Sequence, residues 1–117
     1  EDLLARSDYV SLNCDLNETS RHLINSHTLS LMKPTAVLLN AARGPVIDEA
    51  ALVDALLDGK IAGAALDVFE NEPLPVDSPL RGIDNVLMAP HNSNSSPTAW
   101  KRVHLSTLDQ LVAGLEA

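Results

Sequence analysis

Four short apolar runs punctuate the chain, at residues 9–12, 36–40, 63–67 and 86–89, each closed by polar or turn-forming residues. Runs of this length, rich in Val, Leu and Ala, predict buried strands. Between the second and third, Ala51, Leu52, Ala55 and Leu56 recur at helical spacing, with Asp48 placed to cap the helix and Gly59 to end it. Leu3 and Leu4 suit the end of a short helix feeding the first strand. Residues 18–25 read as irregular, and Ser26 as the cap of a helix over 27–32 that stops before Pro34. Residues 71–80 hold three of the seven prolines and predict a surface loop. Ser96 followed by Pro97 is a strong helix start. Beyond it, Trp100, Val103, Leu105, Leu108, Leu111, Val112 and Leu115 mark a long amphipathic helix, its stripe read as core packing. The order β, α, β, α, β, loop, β, α predicts an α/β fold with a parallel sheet.

Parallel strands joined by crossover helices release their polar ends on one edge, and open α/β sheets bind ligands there. That edge would gather Asn13 and Cys14, then Asn40 to Arg43, then Asp67 to Glu72, then His91. A cation, a carboxylate and an imidazole on one rim suit proton movement at an anionic substrate. Arginine presents a planar fork that matches a carboxylate in two hydrogen bonds. Histidine both takes and gives protons near neutrality. A carboxylate beside the ring would fix its tautomer, and Glu72, next to the rigid Pro73, is the one we assign.

Composition narrows the classes. At 117 residues the chain suits one domain, and with 45% apolar but only 3% aromatic residues its core must be aliphatic. A net charge of −8 without a local cluster of Lys or Arg argues against nucleic acid and membrane surfaces as partners. Cys14 is the single cysteine, so no disulfide framework or thiol metal site is expected, which fits a cytoplasmic protein. No metal site is expected, and no apolar run approaches the roughly 20 residues that cross a bilayer. The chain opens inside a helical pattern without an initiator Met, which reads as a piece of a longer protein.

Three stretches resemble the signatures of the D-isomer-specific 2-hydroxyacid dehydrogenases: Asn40-Ala41-Ala42-Arg43-Gly44, Ala65-Leu66-Asp67-Val68-Phe69-Glu70-Asn71-Glu72-Pro73 and Ala89-Pro90-His91. The likeness runs from Leu12 through the last helix. It implies the second half of a Rossmann-type doubly wound sheet, about four parallel strands with flanking helices, with residues 1–117 as the C-terminal part of a dinucleotide-binding domain. The glycine-rich turn and the substrate domain would lie outside this chain, which alone should bind cofactor weakly and not turn over. The resemblance makes Arg43 the grip on the substrate carboxylate, Glu72 rather than Glu70 the acid that orients the histidine, and His91 the acid/base. It also places cofactor contacts at Cys14, Ala41, Ala42, Arg43, Asp67, His91, Asn92 and Ser93. The implied activity is hydride transfer between NAD or NADP, NAD favoured, and a 2-oxo or D-2-hydroxy acid, in a protein that is a homodimer at full length. Relatives commonly carry Pro at the position of Asp15 and Gly or Ala soon after the histidine, where this chain has Asn92 to Ser96.

Blander readings stand beside these. Asp67 could simply accept backbone amides at its strand end, one of Glu70 and Glu72 could be merely solvated, and Cys14 could be a small strand-end residue. His22, His27 and His104 read as surface or packing residues. The alternatives for the whole are a dinucleotide-sensing, corepressor-like regulator, which would keep the same residues, and a flavodoxin-like receiver. The receiver would want an acid cluster where only Asp15 stands.

Overall fold

The computed structural model describes residues 1–93 and 95–116. Its elements are α1 (Asp2–Arg6), β1 (Tyr9–Leu12), α2 (Ser26–Ser30), β2 (Val37–Asn40), α3 (Glu49–Leu57), β3 (Gly63–Leu66), β4 (Val86–Met88) and α4 (Pro97–Leu115), with 3-10 turns at Gly44–Val46 and Pro79–Gly82. The four strands form one parallel sheet in the order β1-β2-β3-β4. Val10, Leu38 and Ala64 stand in register across the first three strands, as do Leu12, Asn40 and Leu66 one step nearer the C-terminal edge. This is the predicted parallel α/β sheet.

The core lies against one face of the sheet. Val10, Leu12, Leu38, Ala64 and Leu66 meet Leu29 and Met32 around α2, Val46 and Ile47, and Leu52, Ala55 and Leu56 of α3. Each wholly buried leucine, such as Leu38 or Leu52, contributes about 1.5–3 kcal/mol. Tyr9, Ser11 and Leu87 point the other way and are exposed. Asp48 caps α3 as expected, its Oδ1 accepting from the Ala51 amide.

Three expectations need correction. Helix α2 is capped by Asn25, not Ser26. Asn25 Oδ1 accepts from the amides of His27 and Thr28 while Thr28 Oγ1 accepts from the Asn25 amide, a reciprocal box that starts the helix one residue early. The proline-rich loop is not wholly irregular, since its end winds into the turn at Pro79–Gly82. The stripe on α4 does not pack into the core: Trp100, Val103, Leu105, Leu108, Leu111, Val112 and Leu115 are all exposed, and the helix buries no described side chain. Helical spacing reports that one face is apolar, not what covers it.

Candidate active site

At the end of β2 the buried Asn40 side chain turns the chain back on itself. Its Oδ1 accepts from the Ala42 amide at 3.0 Å, and its Nδ2 donates to the Arg43 carbonyl at 3.0 Å. The turn lifts Ala41, Ala42 and Arg43 out of the sheet edge. Arg43 is exposed, with one guanidinium nitrogen donating to the Ala42 carbonyl at 2.7 Å, and no carboxylate among the described residues pairs with it. Its charge is available to an anion from solvent.

Gly44 then brings this turn hard against the loop leaving β3. A Cβ there would sit 1.8 Å from the Phe69 carbonyl oxygen, so only glycine permits the approach. Beyond Phe69 the chain folds so that Glu72 Oε1 accepts from the Phe69 amide at 2.9 Å and Glu72 Oε2 lies 2.7 Å from His91 Nδ1. The hydrogen bond from the His91 ring, then the Phe69 amide, hold the Glu72 carboxyl below its ordinary value against a smaller opposing effect of burial. Ionised Glu72 accepts only, so Nδ1 carries the proton, and Nε2 makes no hydrogen bond to the described residues.

His91 itself has φ +53°, the left-handed region. What holds it there is Asp67, nearly buried at the end of β3. Its two oxygens accept from the Asn92 and Ser93 amides, each at 2.9 Å. Burial pushes the Asp67 carboxyl up, but the two amides, the Ser93 hydroxyl and the charge of His91 outweigh it and leave the group below its ordinary value. The amide-accepting reading of Asp67 is thus the one seen in its contacts: Asn92 meets it through its backbone, and Ser93 through its backbone and its hydroxyl.

A lowered folded value means that the fold favours the carboxylate. The stability this contributes is complete above the unfolded pKa of about 3.9 and is lost as pH falls through the lower folded value. Asp67→Asn turns an amide NH2 toward a backbone N–H, so it should lose about 1–3 kcal/mol at pH 7. The deficit should shrink toward pH 3, as read by urea denaturation at both pH values. A deficit independent of pH would assign the loss to packing instead.

Three hollows lie along this edge. One of about 330 Å³ is lined by Asn13, Cys14, Asp15, Ala41, Ala42 and Arg43. A second, about 200 Å³, is largely apolar and includes Ala41, Ala65, Asp67 and Ala89. The third, about 670 Å³, opens beside Glu72 and His91, with Leu74, Arg81 and Met88 in its wall. Arg43 and His91 therefore share the edge but front different hollows. They leave strands two apart in the sheet, about 10 Å at about 4.8 Å per strand. Small side chains at Cys14, Ala41, Ala42, Ala65 and Ala89 keep the strand ends low, a shape that fits a flat ring such as nicotinamide.

Sequence reasoning missed a second cluster. Glu70 Oε1 lies 2.6 Å from His22 Nε2, Glu70 Oε2 accepts from the Glu49 amide, and Glu49 Oε2 accepts from the Glu70 amide. Glu70 is not an idle solvated acid, and His22 is not without a partner. The two lie 48 residues apart, beyond any local spacing rule.

Residues 1–93 match the family profile described as D-isomer specific 2-hydroxyacid dehydrogenase, NAD binding domain. The chain belongs to this family. A glyoxylate reductase from Thermofilum pendens is 50% identical over 114 residues, covering 97% of this chain and 34% of that relative. Among solved structures, a glyoxylate reductase from Paecilomyes thermophila superposes with TM-score 0.88 at 42% identity, over 98% of this chain and 35% of its own. A D-isomer specific 2-hydroxyacid dehydrogenase from Xanthobacter autotrophicus Py2, solved with NADPH and MES, gives TM-score 0.75 at 51% identity, over 77% of this chain and 29% of its own. The chain thus spans about a third of the length of these dehydrogenase-family relatives, and the resemblance read from its three signatures is borne out.

Proposed function

We propose that this chain is the nicotinamide side of an NAD(P)-dependent oxidoreductase that interconverts a 2-oxo acid and its D-2-hydroxy acid, glyoxylate and hydroxypyruvate being the first substrates to try. The observation that carries the reading is the 2.7 Å contact between His91 Nδ1 and Glu72, made by a ring that lines a hollow at the ligand edge. The glycine-rich phosphate turn and the substrate domain would come from the two thirds of the relatives' length that this chain does not span, and the whole would be a homodimer.

In this reading Arg43 grips the substrate carboxylate with its planar fork. A nicotinamide cofactor, NAD favoured over NADP, would supply the hydride chemistry when bound at this edge. Cys14, Ala41, Ala42, Arg43, Asp67, His91, Asn92 and Ser93 would border it. His91 Nε2 gives its proton to the carbonyl oxygen as C2 is reduced and takes it back in the oxidative direction. Glu72 keeps Nδ1 protonated and stabilises the ring while it is charged, and Asp67 holds the loop that aims it. The compared relatives are named as reductases and dehydrogenases, which supports turnover over sensing.

Arg43→Lys in the full-length enzyme tests the clamp. Exchanging a fork for a point charge removes one charge-assisted bond of about 1.5–3 kcal/mol, so KM for the 2-oxo acid should rise roughly tenfold or more with a smaller change in kcat. Steady-state rates of NADH oxidation with glyoxylate and hydroxypyruvate read this out. An unchanged KM would contradict the role.

A further inference from the structure

The Glu70 cluster spans two pieces of the candidate site. On one side Glu70 belongs to the β3 exit loop that carries Glu72 two residues later. On the other, His22 donates its backbone N–H to the Pro45 carbonyl at 2.9 Å, Ile24 donates to Val46 at 3.1 Å, and Asp48 donates to Ile24 at 2.8 Å. The segment from His22 to Ile24 therefore runs along the turn that follows Arg43 and Gly44. Glu70 joins this segment through its 2.6 Å contact with His22 and joins the first turn of α3 through the reciprocal bonds with Glu49. Its side chain is only 24% exposed, so these contacts are partly shielded from water.

We infer that Glu70, through His22 and the first turn of α3, is a positioning residue that sets where the Arg43 turn stands relative to the Glu72–His91 pair. The inference rests on the reductase reading above. The two halves of that site depend on Glu70 unequally. His91 has its own anchors in Glu72, bonded to the Phe69 amide, and in the amides that Asp67 holds. The Arg43 turn is held locally by Asn40, but its distance from the β3 exit loop depends on Gly44 contact and on the Glu70 cluster. Loss of Glu70 thus moves the carboxylate grip while the proton donor stays in place.

In the full-length enzyme, Glu70→Ala should raise KM for glyoxylate roughly tenfold or more, with kcat changed far less, because a shifted clamp loses binding shared by ground and transition states. Glu70→Gln, which still accepts the Glu49 amide and reaches His22, should recover most of the parent KM. Combined with Arg43→Lys, Glu70→Ala should add little, since the grip it positions has already been weakened. A KM left at the parent value, a fall in kcat alone, or full additivity with Arg43→Lys would each overturn the positioning role. If Glu70→Ala does not fold, His22→Ala removes the same contact from the half-exposed side and reads the same split. Arg43→Lys alone keeps the two ideas apart: a flat KM there ends the clamp itself, whereas a raised KM there with Glu70→Ala unaffected ends only the positioning.

Discussion

His91→Gln should lower kcat for reduction of a 2-oxo acid by roughly 10²–10⁴-fold, the usual worth of a placed general acid, while NADH binds nearly as well as before. Glutamine keeps much of the ring's length and its amide can still meet Glu72, whose second oxygen remains tied to the Phe69 amide. What disappears is a group able to pass a proton outward while a carboxylate holds its inner nitrogen. Steady-state kinetics alongside fluorescence titration of NADH separate the two quantities. Equal losses in turnover and cofactor affinity would show that the substitution had collapsed the edge, and the acid/base assignment would fail.

The largest effect on stability is expected at Gly44. An added methyl would lie 1.8 Å from the Phe69 oxygen, 2.0 Å from its carbon and 2.6 Å from the Glu70 nitrogen. All three are backbone atoms in a loop fixed by Asp67, Glu70 and Glu72, so no side chain can swing aside. Gly44→Ala should cost about 3 kcal/mol or more, beyond the ordinary range for overpacking by a single methyl. That corresponds to a fall in Tm of about 10 °C or more by calorimetry. Gly114→Ala is the matched control. Nothing stands within 4 Å of its added Cβ, and in α4 the exchange should stabilise by up to about 1 kcal/mol through helix propensity. A mild Gly44→Ala would mean that the two loops can part without harm.

Much of this edge was legible before any coordinates. Apolar runs located the four strands within a residue or two because Val10, Leu12, Leu38, Ala64 and Leu66 build the buried face of the sheet, and parallel topology then forced Arg43, Asp67, Glu72 and His91 to one side. Two kinds of feature were not legible. The stripe from Trp100 to Leu115 has the same periodicity whether or not anything lies against it, so its exposure could not be read from spacing. The pairing of His22 with Glu70 depends on how two loops meet, and neither loop carries a period. Of the two acids two apart, the sequence favoured Glu72 through its neighbour Pro73 but gave Glu70 no role. They differ because one reaches back to α3 and the other forward to His91.

The way Asp67 holds the loop after β4 has a bearing on how such a protein could change over generations. Since the backbone, through two amides, keeps His91 in its left-handed turn, the aim of the imidazole owes little to Leu74 or Met88 in the neighbouring wall. On the proposed reductase reading, substitutions at Leu74 and Met88 would reshape the hollow to suit a bulkier acid while the amides that Asp67 holds keep the imidazole where it was.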